Sequence, residues 1–579
     1  MRLNNIELKL SEETLRKLSQ FGSLSNLDIF ISKVGIESLK KNNILIHSSY
    51  DPIKESRTLI SNLNIDKENT YLVIIFGVGL GYHLKILKEE YPNSIFIPIE
   101  LDDDIALLYA KRENSFLITN YNLNDIYSII NFLDFTSLKD IKFLYLPSVY
   151  RLNKERYDKI GEEVSKIVKS KFTDLLTKVN FDKLWIKNIF LNIPHIIKYG
   201  TITNKVFSES FKEFMGRPFI VFGAGYSGYF LLEEIKKFQD KVVILSVDTA
   251  LKTLVNSGIR PDVVFSLDSQ FANIKDFFGI DTSELKLLSD VVVSPELIRN
   301  FKGKVFISKS SHIEILNGNV FEITNNVISY IEDNISYSLL GLESGGSVST
   351  NLFHFALLMG GNPIFLVGVD LGFPYFVSHI KGSPNHEYFT LNSNLFSLPE
   401  TKFAGSVLKE YIKLEGIKDK ECITHKIMET YKLWFDSASD TSNLENVYNI
   451  SDGVRLRGIK NMNTKEGKKF LASVLSRSNS IDKDKYIVSD VDKIDRDNLK
   501  NEILNIRRVT DELESDLSIL TFRELSKQYP IFINLTSKSL FPYYRQQKSF
   551  DECKDQVIND IKYFKKVLDF VLGNLGNIY

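Results

Sequence analysis

The chain has 579 residues, 72 of them basic and 73 acidic, for a formal net charge of -1. At about 150 residues per domain this length suggests three or four domains, and a 43% apolar content can fill several cores. The charge balance argues against nucleic-acid binding through bulk electrostatics, and two cysteines, Cys422 and Cys553, exclude a disulfide framework and zinc-ligand spacing.

The first residues include Glu7, Lys9, Glu12 and Glu13 and lack an apolar run, so they do not read as a secretory signal. Up to about residue 65 only a weak helical period shows, around residues 12–18. The signal sharpens at 71–76, an apolar run of strand length closed by Gly77, Gly79 and Gly81. A helix over 82–90, a strand over 94–99 ending on Glu100, and a strand over 141–146 follow. Such alternation predicts parallel strands joined by crossover helices. Between 152 and 197 apolar residues fall three or four apart, which predicts a helical connector of one or two helices.

A second strand–helix block opens at 218–222 and turns on Gly223 and Gly225. Its later strands are expected at 241–247, 263–267, 291–293, 305–307, 364–369 and 447–450, with a helix over 349–359. The apolar stretch 352–373 is broken by Gly360, Gly361, Asn362 and Pro363 into pieces too short for a bilayer core of about 30 Å, so no membrane span is expected. From residue 463 the chain turns charged and helical. Ile503, Ile506, Val509, Leu513, Leu517 and Leu520 form one expected stripe, and Val557, Ile561, Phe564, Leu568 and Val571 mark another. The fold class is therefore α/β: two Rossmann-like or GT-A-like parallel-sheet domains in series, a helical connector and a helical C-terminal domain. The expected divisions are 1–150, 151–205, 206–460 and 461–579.

Four constellations could carry chemistry. The turn at Gly77, Gly79 and Gly81, with Glu100 ending the next strand, has the spacing of a dinucleotide or S-adenosylmethionine site. An empty tight turn would look the same. Asp102, Asp103 and Asp104 read as an exposed helix start, and His83 as a surface residue. The second constellation joins Gly223, Gly225 and Ser227, suited to a phosphate on backbone amides, with Asp248, Thr249 and Asp268 at the ends of the next two strands. Each aspartate could equally cap its own helix. Third, Ser344, Gly345, Gly346 and Ser347 form a donor-rich loop before a helix. Fourth, Asp370 ends a strand whose following loop carries His379 and His386, where an imidazole could act as a general base.

The residues Asp248 to Leu254, Gly258 to Asp268, Ser344 to Ser347, Asn362 to Asp370 and Tyr448 to Gly453 resemble the central domain of the Maf (motility-associated factor) flagellin glycosyltransferases. That central domain is in turn similar to bacterial sialyltransferases and to the MptE-like pterin pyrophosphokinases. The resemblance implies cytoplasmic transfer of a nonulosonic acid, a sialic-acid-like sugar such as pseudaminic acid, from a CMP-activated donor to Ser/Thr of flagellin. It places Gly223, Gly225 and Ser227 at the CMP phosphate, Asp248 and Thr249 near the nucleotide, and Ser344 to Ser347 near the phosphate or sugar. His379 and Asp370 take the catalytic positions. The family's first turn reads Gly-Ala-Gly-Pro-Ser-Leu, whereas here Tyr226 and Gly228 flank Ser227. Asp-x-Asp triplets fall at Asp102 to Asp104 and within 482–497, outside the central domain, so neither a metal nor a tightly bound cofactor is expected. Two rivals are a non-catalytic flagellin chaperone or scaffold and an ATP-dependent pyrophosphokinase of a hydroxymethyl pterin.

Overall fold

The computed structural model describes residues 2–575 apart from 4–5, 8, 114, 134, 136–137, 200–210, 317–318, 336–337, 484–495 and 546. The 205/206 division and most of the Asp-rich stretch 482–497 lie outside those residues. The chain divides into two compact units. One comprises 1–183, 313–323 and 532–560, the other 184–312, 324–531 and 561–579. No described helix is long and apolar enough to cross a membrane.

The first helix of the first unit is α1 (Glu12–Phe21), capped by the Ser11 side chain on Thr14 N–H. A small antiparallel sheet follows, β1 (Leu27–Ile31), β2 (Glu37–Lys41) and β3 (Ile44–Leu45). Sequence reading misses this sheet because its strands are short and largely exposed, so no regular buried face imposes a period of two. The parallel core then forms from β4 (Thr70–Phe76), α2 (Tyr82–Glu90), β5 (Ile95–Ile99), α3 (Asp103–Glu113) and β6 (Leu138–Tyr145), with sheet order β5-β4-β6. Residues 71–76 are all buried, as expected for a central parallel strand covered on both faces. The predicted connector is one helix, α4 (Lys154–Tyr199), with Pro194 inside it.

The second unit is a larger parallel sheet. Its strands are β7 (Phe219–Phe222), β8 (Val243–Val247), β9 (Val263–Ser266), β10 (Lys286–Asp290), β11 (Lys304–Leu316), β12 (Gly341–Glu343), β13 (Ile364–Val367), β14 (Val447–Ile450) and β15 (Lys460–Met462). The order is β11-β10-β9-β8-β7-β13-β14-β15, with β12 beside β11, and every one of these pairs is parallel. From β7 the chain winds outward in one direction, then returns to lay β13 on the other side of β7. The β7/β13 boundary is therefore the topological switch point, the place at the strands' carboxyl ends where open α/β sheets bind their ligands.

Two predicted details are corrected. The strand expected at 291–293 lies one step earlier, at β10. The carbonyls of Val291, Val292 and Val293 are instead taken by the side-chain amides of Asn188 and Asn192 on α4, at 2.8–2.9 Å. Leu520 does not share the apolar stripe: it is 74% exposed, while Ile503, Ile506, Val509 and Leu513 on the helix Arg496–Ser515 are buried.

Candidate functional site at the sheet switch point

The turn after β7 and the loop after β13 interlock. Gly223 N–H donates to Val367 O at 2.8 Å and Gly225 N–H to Gly368 O at 2.7 Å. A Cβ on Gly223 would stand 2.5 Å from Gly368 O, and one on Gly225 would stand 2.6 Å from the Asp370 carboxylate, so only glycine permits this approach. Asp370 is buried beneath the turn. Its Oδ2 accepts Ser227 N–H at 2.9 Å and its Oδ1 accepts the Ser451 hydroxyl at 2.7 Å. Ser227 Oγ in turn accepts Asp452 N–H at 3.0 Å. Burial pushes the Asp370 carboxyl up to about 6 despite these bonds. Both of its oxygens serve the protein, so Asp370 acts as a brace that positions the two loops. The Gly223, Gly225 and Ser227 amides are likewise bonded within the protein.

One strand over, Asp248 opens helix α5 (Asp248–Asn256) and is buried. Its Oδ2 accepts the Ser266 hydroxyl at 2.7 Å, from the end of β9, and its Oδ1 accepts Thr249 N–H at 2.8 Å. The Thr249 hydroxyl lies between Asp248 Oδ1 (3.4 Å) and Asp276 Oδ2 (3.3 Å). Asp276 had no signal in the sequence, because it sits in the 3₁₀ helix Phe271–Phe277 and becomes a neighbour of Asp248 only through the fold. It is buried, its Oδ1 has no hydrogen-bond partner among the described residues, and burial together with the Asp248 charge raises its carboxyl to about 7. A carboxyl raised from 3.8 favours folding most when protonated, so stability falls as pH climbs from about 4 through 7. The Asp276→Asn variant should therefore gain in melting temperature over the parent at pH 8 and lose most of that gain at pH 4. Asp268, part-exposed at the end of β9, accepts Gln270 N–H at 2.8 Å.

The loop carrying His379 closes onto these groups. Ile380 N–H donates to Ala224 O at 2.8 Å, within the glycine turn, and the Thr253 hydroxyl of α5 donates to Lys381 O at 3.0 Å. His379 Nδ1 lies 3.0 Å from Ser378 Oγ, and its Nε2 lies 3.4 Å from the amide nitrogen of Asn385, whose oxygen accepts Lys275 Nζ at 2.8 Å. Asn385 lies in the first turn of the helix Pro384–Leu391, which also carries His386, part-buried against the Phe403 ring at 5.0 Å. Burial lowers the His379 imidazole to about 4, helped by the charges of Lys275 and His386. It is neutral at neutral pH, with Nε2 the nitrogen open to a proton. Gly225, Asp248, Thr249, Asp370 and His379 thus come together at one end of the sheet.

The Ser344–Ser347 loop leaves the same edge, since β12 runs parallel to β11 with Glu343 opposite Ser311. Its groups bond among themselves. Gly345 N–H donates to Thr350 Oγ1 (2.9 Å), Gly346 N–H to Ser344 Oγ (3.3 Å), and Ser347 caps the helix α6 (Val348–Leu358) through Ser349 N–H. The glycines face aromatic rings: a Cβ at Gly345 would meet Trp434 at 2.5 Å, and one at Gly346 would meet Tyr431 at 3.0 Å. Among the described residues no hydrogen bond joins this loop to Asp248 or His379.

In the first unit the glycine turn is filled by the protein's own side chains. Glu100 Oε2 accepts Val78 N–H at 3.0 Å, and its Oε1 accepts Asp102 N–H and the Tyr157 hydroxyl. His47 Nε2 accepts Leu80 N–H at 2.8 Å and lies where a Gly79 Cβ would be, 2.3 Å away. Glu100 is fully buried, so it is not free to accept ribose hydroxyls. His83 is also buried, with Nε2 3.1 Å from Gly77 O, and not at the surface as its position suggested. Asp104, expected to be exposed, is buried and paired with Lys41 at 2.7 Å.

A family model described as 6-hydroxymethylpterin diphosphokinase MptE-like matches residues 187–375. The structure of MAf glycosyltransferase from Magnetospirillum magneticum AMB-1 superposes with a TM-score of 0.53, covering 97% of this chain and 93% of that one at 15% identity. The chain has the fold of a Maf glycosyltransferase, built around an MptE-like domain. An uncharacterized protein of Treponema pallidum (strain Nichols) is 29% identical over 113 residues, and the match spans about half the length of that relative. The MptE-like span includes Gly223 through Asp370. His379, Asn385 and the bracing residues Ser451 and Asp452 lie beyond it.

Proposed function

We propose that this chain transfers a nonulosonic acid from a CMP-activated donor to serine or threonine hydroxyls of flagellin in the cytoplasm. The observation that carries this reading is the meeting of Asp248, Asp370 and His379 at the switch point, in a chain that follows a Maf glycosyltransferase fold along almost its whole length.

In the proposed reaction the acceptor oxygen attacks the anomeric carbon. The bond from that carbon to the phosphate oxygen breaks, and CMP leaves with the electron pair. The hydroxyl proton passes to His379 Nε2, where the long 3.4 Å approach of Asn385 is easily replaced by a better donor. Lys275 depresses the basicity of His379, so a donor phosphate that offsets the Lys275 charge strengthens the base when donor is bound. With the turn amides bonded internally, the phosphate charge falls to the Lys275 side chain, and part-exposed Asp268 is placed to accept ribose hydroxyls.

Flagellin from a strain lacking this chain should lose the mass of one or more nonulosonic acid residues in intact-mass measurement. An unchanged mass rejects the reading. The second reading, ATP-dependent pyrophosphorylation of a hydroxymethyl pterin, is favoured by the family model over 187–375. It predicts AMP release from ATP in the presence of the pterin.

A further inference from the structure

The loops that meet at the switch point also carry a group of aromatic rings. Tyr226 and Tyr229 fall at i and i+3 of the short 3₁₀ turn Tyr226–Leu231, directly after Gly225, and so share a face, with the Phe230 ring packed against both. Tyr375, from the loop after β13, packs against them. Its ring centroid is 5.4 Å from that of Tyr226 and 5.3 Å from that of Phe230, and Tyr226 and Phe230 are 6.0 Å apart. The Tyr375 hydroxyl donates to Asp452 Oδ2 at 2.5 Å, and Thr464 holds the same carboxylate through its N–H and hydroxyl. Asp452 is bonded to Ser227 in turn, so the rings stand on a braced floor.

These rings are not core. Phe230 is 42% exposed, and Phe376, beside Tyr375, is 47% exposed with a φ of +57°, a conformation costly for an aromatic residue. Two exposed ammonium groups stand over the rings: Lys418 Nζ is 4.2 Å from the Tyr375 centroid and Lys381 Nζ is 5.5 Å from that of Tyr229. Rings alone would accept a nucleobase or any sugar with an apolar face. The cations above them select a ligand that combines such a face with negative charge.

We propose that this platform is the donor-sugar subsite, stacking the apolar face of an acidic pyranose on Tyr226 and Phe230 with its carboxylate against Lys418 and Lys381. The inference rests on the transferase reading and names the group that would discriminate the sugar. Lys381 lies two residues from His379, so a sugar held there stands beside the group that takes the acceptor's proton.

Titration calorimetry on the full chain, with CMP and with CMP-N-acetylneuraminic acid as probes, tests it. The parent should bind the sugar nucleotide more tightly than CMP. Phe230→Ala and Lys418→Ala remove exposed side chains and should melt like the parent. Each should weaken sugar-nucleotide binding by about 3- to 10-fold while leaving CMP affinity unchanged. Variants that keep the parent's sugar-nucleotide affinity, or lose CMP in parallel, overturn the platform, as does a parent that gains nothing from the sugar. In those cases the CMP-donor reading stands. A parent that binds neither probe overturns that reading and the platform together.

Discussion

His379→Ala should lower the turnover of sugar transfer to flagellin by about 10²–10⁴-fold, the usual worth of a positioned general base. Among the described residues the imidazole's hydrogen bonds are to the Ser378 and Asn385 side chains, so the variant should fold and still bind CMP and flagellin. The pH profile provides a second check. Burial and the Lys275 charge hold the free imidazole near 4, so kcat/KM should rise through an acid limb near pH 4 and be flat across neutrality. A free histidine would place that limb near 6.5. Full glycosylation by the alanine variant would assign the chain to the scaffold class instead.

Asp370→Ala should be among the most destabilising single changes in the second unit. It leaves Ser227 N–H and the Ser451 hydroxyl unpartnered in a buried place, at about 1–3 kcal/mol for each. Its effect on transfer should appear as a folding defect, read by denaturant titration. Asp370→Asn keeps the shape and one acceptor, so it should cost less. The two variants also separate charge from geometry. The Asp370 carboxyl is raised from 3.8 to about 6, so the parent is favoured below pH 4 and loses that contribution as pH rises through 6. The asparagine variant should lack that slope.

Much of the architecture was legible along the chain. Residues 71–76, 219–222 and 364–367 are runs of consecutive apolar side chains, and a run of that length between glycine-bearing turns has few options besides a strand buried on both faces. The alternation of such runs with helical periods determined the parallel α/β class, and the carboxyl-end rule pointed to Asp248, Asp268 and Asp370 before any coordinates. These are local signals, carried by neighbours within a dozen residues.

What the groups at those strand ends bond to was decided by tertiary structure alone. The two glycine turns look alike as sequence, yet Glu100 and His47 fill the first while the second is buttressed by Gly368 and Asp370. Asp370 reads as a catalytic carboxylate until Ser227, 143 residues away, and Ser451, 81 residues away, occupy its oxygens. Asp276 and the Tyr375 ring were invisible for the same reason. A hydrogen bond or a ring contact across such separations depends on how the sheet orders its strands, and no local period of apolar residues encodes that order.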